Sequence, residues 1–289
     1  MRLYIIGNGF DIRHNLPTGY KHFKIYVQKN DRDLFNAIES YLPVGDLWNE
    51  LESALGDIDY EQVLDENSMF LVSPSSDEWT DASNHDFQYE VEQTTELLSE
   101  RLKEKFADWI KSIDLTPALK PSEFIPPIPT ESLYFTFNYT NTLQQIYHIK
   151  DINIKHIHGN CLHDDFLELG HAFTPAGPIN KGAGPDQDIR IAEAYSYIDR
   201  YFGATFKPVN EIISDENDYF LSLRNVNEVH VYGHSLSEVD GEYFKKISQS
   251  ILPDAKWLVA LYSNEKKCGN LENYGIDARN IKSILYENI

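Results

Sequence analysis

Apolar residues recur along this chain in two rhythms, and the rhythm changes near residue 130. Before that point the spacing is helical. Leu47, Leu51, Leu55 and Ile58 predict an amphipathic helix over 46–58, and Val91, Leu98, Leu102, Phe106 and Trp109 form one stripe of a second helix over roughly 87–112. The stretch 68–85 between them is rich in turn formers and reads as an exposed loop. The proline-rich stretch 117–129 must be extended or irregular, and it marks where the helical section hands back to strands. Short runs with β-branched or aromatic content then take over: "SLYFTF" (132–137), "INIKHIH" (152–158), "EVHVYG" (228–233), "WLVALY" (257–262) and "IKSILY" (281–286). A further run of this kind, "RLYII" (2–6), opens the chain. Short strands alternating with helices predict an α/β fold, a Rossmann-like and mostly parallel sheet with helices on both faces. The chain reads as a single domain, 1–289, with a helical insertion over 31–125 after the first strand.

A parallel sheet collects its functional loops at the carboxyl ends of the strands. Here the first strand ends in "GNGFD", the second in "NYTN", the third in "HGN" and the fourth in "GHSLSEVD". Each end carries a glycine, an amide, a histidine or a hydroxyl, and the sheet predicts that they share one rim. Gly7 and Gly9 have the spacing of the first two glycines of a dinucleotide turn, but Ile12 stands where the third belongs. A plain turn and a phosphate cradle both fit, the cradle using free backbone N–H groups as donors. His156 and His158 are two apart on one strand, so they are expected on the same face, with His158 last in the strand and Gly159 opening space beside it. His156, His158, Cys161 and His163 also allow a zinc reading, disfavoured because these positions straddle a strand and a turn. Asn138 is open between a turn and a site residue, whereas Asn141 reads as a helix cap. Glu238 and Asp240 read as first-turn acids of the helix that follows. "GHSLS" is not a nucleophile elbow, because Ser237 replaces the second glycine and no histidine follows Ser235, His234 being the last in the chain.

Charge narrows the partners. The 289 residues carry 25 Lys and Arg against 46 Asp and Glu, a formal net charge of -21, with no basic cluster, so a nucleic acid would be repelled rather than steered in. Two cysteines, Cys161 and Cys268, cannot build a disulfide framework or a four-cysteine zinc module. The N-terminal apolar run is too short for a signal peptide and "WLVALY" too short for a membrane span, so a cytoplasmic protein with no membrane partner and no bound metal is expected.

Four motifs in order, "IIGNGFD…LPTGY", "FNYTNTL", "HIHGN" and "GHSLSEVD", resemble the signature of the AbiH family of bacteriophage abortive-infection proteins. In wider outline they resemble the sirtuin-like NAD-binding fold. The resemblance implies that Gly7, Asn8, Gly9, Phe10 and Asp11 form a loop against the pyrophosphate. It implies that Asn138 and His158 flank the nicotinamide ribose as catalytic groups, Asn138 orienting a water and His158 taking its proton. Thr140 stands where sirtuin-like proteins carry Asp, and Asp11 could restore that carboxylate from another loop. Gly233, His234 and Ser235 would contact the phosphates or the adenosine ribose. The expected activity is that of an NAD glycohydrolase releasing nicotinamide and ADP-ribose. No cofactor beyond NAD as substrate is expected, and the enzyme would work as a homo-oligomer released by a phage-derived trigger. A module that senses NAD or ADP-ribose without cleaving it is the alternative, and a fold relative acting on another nucleotide or on nucleic acid the third.

Overall fold

A computed structural model describes residues 1–116, 128–161, 167–173, 177–182, 184, 187–236, 238–261 and 270–285. Most of the proline-rich stretch, His163, Ser237 and Cys268 fall outside the described residues. The chain folds as two compact units, the first formed by Met1–Gly19, Trp109–Glu168 and Pro208–Ile289, the second by Tyr20–Asp108 and Leu169–Lys207.

The first unit holds six parallel strands: β1 (Arg2–Ile6), β2 (Leu133–Thr136), β3 (Ile154–His156), β4 (Glu228–Tyr232), β5 (Lys256–Leu261) and β6 (Ile281–Leu285). Their spatial order is β3-β2-β1-β4-β5-β6, so the sheet is α/β and Rossmann-like, with the strand order reversing between β1 and β4. All six predicted strands form. Side chains alternate between the faces as a pleated strand requires. Leu3, Ile5, Phe135, Val229, Val231 and Val259 join one apolar cluster, and Tyr4, Ile6, Tyr134, Tyr232 and Ala260 join another. Both faces are thus covered, which is why these strands read as nearly continuous apolar runs. Register also fixes the rim. Ile6 pairs with Thr136 and with Tyr232, and Thr136 pairs with His156, so four strands stop on one row.

Just past that row the β1 and β4 loops touch. Gly7 N–H donates to Tyr232 O at 2.9 Å and Gly9 N–H to Gly233 O at 2.8 Å. A β carbon on Gly9 would lie 2.8 Å from that same oxygen, and one on Gly233, whose φ is +69°, would overlap Phe10 N. The glycines are demanded by the approach of one loop to the other, whatever binds beside them.

The second unit is helical. It contains Tyr20–Asn30, Arg32–Tyr41, Tyr60–Asn67, Asp86–Glu96 and Ile189–Thr205, the last two packed along each other. Asp86–Glu96 runs through a π turn at Leu97–Arg101 into Leu102–Lys111, matching the predicted long helix, and its whole predicted stripe is buried. The predicted helix over 46–58 is mostly absent. Only Leu51–Ala54 is α-helical, followed by a 3-10 turn at Leu55–Asp57. Trp48 is the cause: it is fully buried with φ +56°, its indole N–H donating to Glu39 at 2.6 Å, while Leu47 is turned outward. Burying the largest side chain outweighs a helical turn that would have buried Leu47 instead. The helices Tyr20–Asn30 and Arg32–Tyr41 went unread because each buries only a few residues, Phe23 and Val27 in the first. Between 68 and 85 the expected loop is present, apart from 3-10 turns at Ser68–Phe70 and Ala82–Asn84. Among the described residues no helix is long and apolar enough to cross a membrane.

Two glycine replacements separate packing from propensity. Gly233→Ala should lower stability by at least about 2 kcal/mol, since it adds left-handed strain to a steric overlap. Gly203→Ala, inside the helix Ile189–Thr205 with open space at its β carbon, should raise stability by about 0.5–1 kcal/mol. Denaturant melts of both variants check the signs.

Candidate functional site

The rim begins with a six-residue helix, Asn8–Arg13, that leaves β1 directly. His14 ends it and ties it down. Nδ1 lies 2.7 Å from Phe10 O and Nε2 2.7 Å from the Tyr147 hydroxyl. Only one neutral tautomer serves both, with Nδ1–H donating to the carbonyl and Nε2 accepting from tyrosine. Burial also pushes the His14 pKa down, favouring that neutral ring. The helix after β1 is thereby locked to Thr142–Tyr147, the helix after β2.

This locking brings Asp11 to Thr140. Asp11 is buried, and its Oδ2 accepts the Thr140 hydroxyl at 2.5 Å. Thr142 Oγ1 lies 3.1 Å from Thr140 Oγ1. The position that carries Thr in place of the expected acid therefore has a carboxylate against it, supplied by the β1 loop. Burial pushes the Asp11 pKa up to about 6, while hydrogen bonds from the Thr140, Thr142 and Asn138 side chains hold it from rising further. Asp11 Oδ1 has no hydrogen-bond partner, nor has Asn138 Oδ1 beside it, and both are buried. Two acceptors of this kind are costly unless something donates to them.

Asn138 is held from both sides of its backbone. Its N–H donates to Thr136 Oγ1 at 3.1 Å, and its carbonyl lies 2.9 Å from His156 Nδ1. His156 Nε2 meets the Gln144 amide at 3.0 Å, so both of its nitrogens are engaged in bracing the β2 turn. That bracing leaves His156 unsuited to the zinc reading; His163, the other proposed ligand, lies outside the described residues. The strand ends at His156 rather than at His158, so the two histidines do not share a face as expected. Asn141 occupies the cap position of its helix but makes no side-chain capping bond; its amide lies 3.5 Å from Cys161 Sγ instead.

His158 is buried beside other groups. Its ring centre is 5.3 Å from that of Phe137, 6.2 Å from Tyr139 and 5.5 Å from Tyr243. Phe137 and Tyr139 flank Asn138 in sequence, yet Asn138 sends its side chain to Asp11. The rim therefore carries two chemical groups, one around Asp11, Asn138 and Thr140, the other around His158.

The β4 loop completes the second group. Asp240 Oδ2 lies 3.3 Å from His234 Nε2 and its Oδ1 3.9 Å from His158 Nε2. Sequence reasoning placed Asp240 only as a helix-start acid, since the pattern holds no sign that it faces two histidines. Ser235 is exposed on the loop. Asn8 donates its side-chain amide to Thr18 O at 2.9 Å, and Phe10 is buried in the core, so both shape the loop from within. The N–H groups of Gly7 and Gly9 are already donated to the β4 strand and loop, so the expected free donors for a phosphate are not there.

Asp11 sets a pH dependence of stability. Its folded pKa lies above the unfolded value of 3.8, so burying it costs nothing below about pH 4, costs more as pH rises to about 6, and stays costly above. The full cost is about 3 kcal/mol, from about two pK units. Asp11→Asn should therefore raise stability near pH 7.5, with the gain fading as pH falls to about 4. Urea unfolding at both pH values checks this; a gain independent of pH rules out Asp11 as the cause.

Comparison with curated proteins finds no match, and comparison with solved structures finds none either. The family model described as "Bacteriophage abortive infection AbiH" matches residues 3–261, from the second residue of β1 to the last of β5. That span includes all four rim loops and the whole of the helical unit. The chain belongs to the AbiH family of bacteriophage abortive-infection proteins.

Proposed function

We propose that the rim binds NAD and hydrolyses the bond between ribose and nicotinamide, giving nicotinamide and ADP-ribose. The observation that carries this reading is the pair of buried, unpartnered acceptors, Asp11 Oδ1 and Asn138 Oδ1, beyond the carboxyl ends of a Rossmann-ordered sheet. Such a pair calls for a ligand that donates twice, and the vicinal hydroxyls of a ribose do so. The family role in defence against phage agrees with an activity that depletes the host of a central nucleotide. The wider likeness of the motifs to sirtuin-like NAD-binding proteins points the same way.

The reaction suits these residues. The glycosidic bond joins C1′ to a pyridinium nitrogen already bearing positive charge. When it breaks, the electron pair goes to that nitrogen and neutral nicotinamide leaves without needing an acid, unlike the leaving group of an ordinary glycosidase. The ribose becomes oxocarbenium-like. With a pKa of about 6, Asp11 is mostly ionised near pH 7.5 and supplies negative charge in a water-poor setting where it stabilises the developing cation. Asn138 holds a ribose hydroxyl or the attacking water, and His158 accepts the proton that water loses as it bonds to C1′. An NAD hydrolase harms its own cell, so a phage-derived trigger and self-association are expected to release it.

Purified protein incubated with NAD, alone and with lysate of infected cells, should release nicotinamide. His158→Ala should cut turnover about 10²–10⁴-fold while calorimetric NAD affinity changes little, and Asn138→Ala should cut turnover as much and also weaken affinity, since its amide oxygen accepts from the ligand. Binding without release by the wild-type protein would instead mark a sensor of NAD or ADP-ribose, and absence of binding would end the dinucleotide reading.

A further inference from the structure

Asp240 stands at the N-cap of the helix Gly241–Ser250, where an aspartate ordinarily accepts a backbone N–H, yet its side chain makes no capping bond. Its carboxylate lies instead between His234 and His158, with all three side chains at most 14% exposed. The distances, 3.3 Å to His234 and 3.9 Å to His158, make it an anchor on one side and a charge neighbour on the other.

The protonation state of His234 follows from its other nitrogen. Nδ1 accepts the Leu236 N–H at 2.9 Å, and a ring nitrogen that accepts a hydrogen bond carries no proton. Leu236 has φ +58°, a conformation that bulky residues avoid and that turns its amide onto the ring. His234 is accordingly a neutral imidazole with its proton on Nε2, facing Asp240 Oδ2. It fixes the carboxylate without neutralising it. Among the described residues, the titratable groups facing His158 are Asp240 and the Tyr139 and Tyr243 phenols, with His234 beyond the carboxylate. Phe137 packs against both imidazoles, 5.3 Å from His158 and 4.3 Å from His234, so little water screens the charge between them.

We infer that Asp240 is a positioning residue: clamped by a neutral His234, it orients His158 and raises its basicity for the proton transfer proposed above. The inference rests on that reading for its catalytic consequence, but the coupling itself does not require any reaction. The same logic of a buried carboxylate behind a histidine base recurs in hydrolases of unrelated fold, where it fixes the ring and stabilises its charged form.

Ring-nitrogen NMR of 15N-histidine-labelled protein tests it. In the wild type, the neutral His234 ring should carry its proton on Nε2, with Nδ1 accepting from Leu236 N–H. In Asp240→Asn the His158 midpoint should fall by about one unit, because the nearby negative charge is gone. If that variant does not fold, Asp240→Ser is read in the same way, and the wild-type His234 form needs no variant. An unchanged His158 midpoint, or a neutral His234 with its proton on Nδ1, overturns the proposal. NAD turnover adds the consequence: kcat of Asp240→Asn should fall about 10-fold or more with KM little changed, its pH profile moving with the NMR midpoint. A wild type that shows the coupling but cleaves no NAD would sink the hydrolase and leave the positioning role of Asp240 standing.

Discussion

One backbone contact governs the rim: Gly9 N–H against Gly233 O, at the point where the strand order reverses. In a doubly wound sheet that point ordinarily leaves a crevice, because the chain departs in opposite directions from the two central strands. Here the two loops close on each other until no β carbon fits between them. The closure has two consequences. It uses up the amides that would otherwise face a phosphate, and it pushes the chemistry outward to either side. Asp11, one turn into the helix after β1, lands on the β2 loop. His234, one residue past Gly233, lands against Asp240 and near His158.

The sheet was plain in the sequence because burial on both faces forces apolar runs, and such runs alternate here with turn formers. Rim membership was equally plain, since every strand that reached it ended in polar or glycine residues. What could not be read was which rim residues meet. Thr140 and Asp11 are 129 positions apart and become neighbours only because His14 and Tyr147 lock two helices together. The 3.6-residue pattern failed at 46–58 for a related reason. Periodicity weights Leu47 and Trp48 alike as apolar, whereas the fold buries the indole and gives up the helical turn to do so. Asn141 and Asp240 show the limit of capping rules: both sit where caps sit, and both turn their side chains elsewhere. A local rule names a position. Tertiary partners decide how the side chain is used there.

Asp11 shows why a site of this kind is held at some expense of stability. A carboxylate buried among hydroxyls and an amide, with one oxygen unpartnered, destabilises the chain near neutral pH. Nothing in the packing requires it, because an asparagine has the same shape. Residues that break the rules of a good core without a structural return are where function is usually found. The same test separates His14 and His156, whose ring nitrogens are both engaged in bracing turns, from the His158 and His234 pair arranged about a single carboxylate.

The polarity of the rim also orients a ligand. A chain of net charge -21, with an ionised carboxylate at the sheet edge and its glycine amides already engaged, is a poor host for a diphosphate at that edge. It is a good host for hydroxyls and for positive charge. On the proposed reading, a dinucleotide with a pyridinium at one end and phosphates at its centre would therefore enter cation first, its nicotinamide ribose over the Asp11 group and its phosphates directed away from the β1 turn. That orientation departs from the usual arrangement, in which the glycine turn takes the pyrophosphate. It follows from where the N–H groups point, and on the proposed reading recognition would turn on the acid rather than on the glycines.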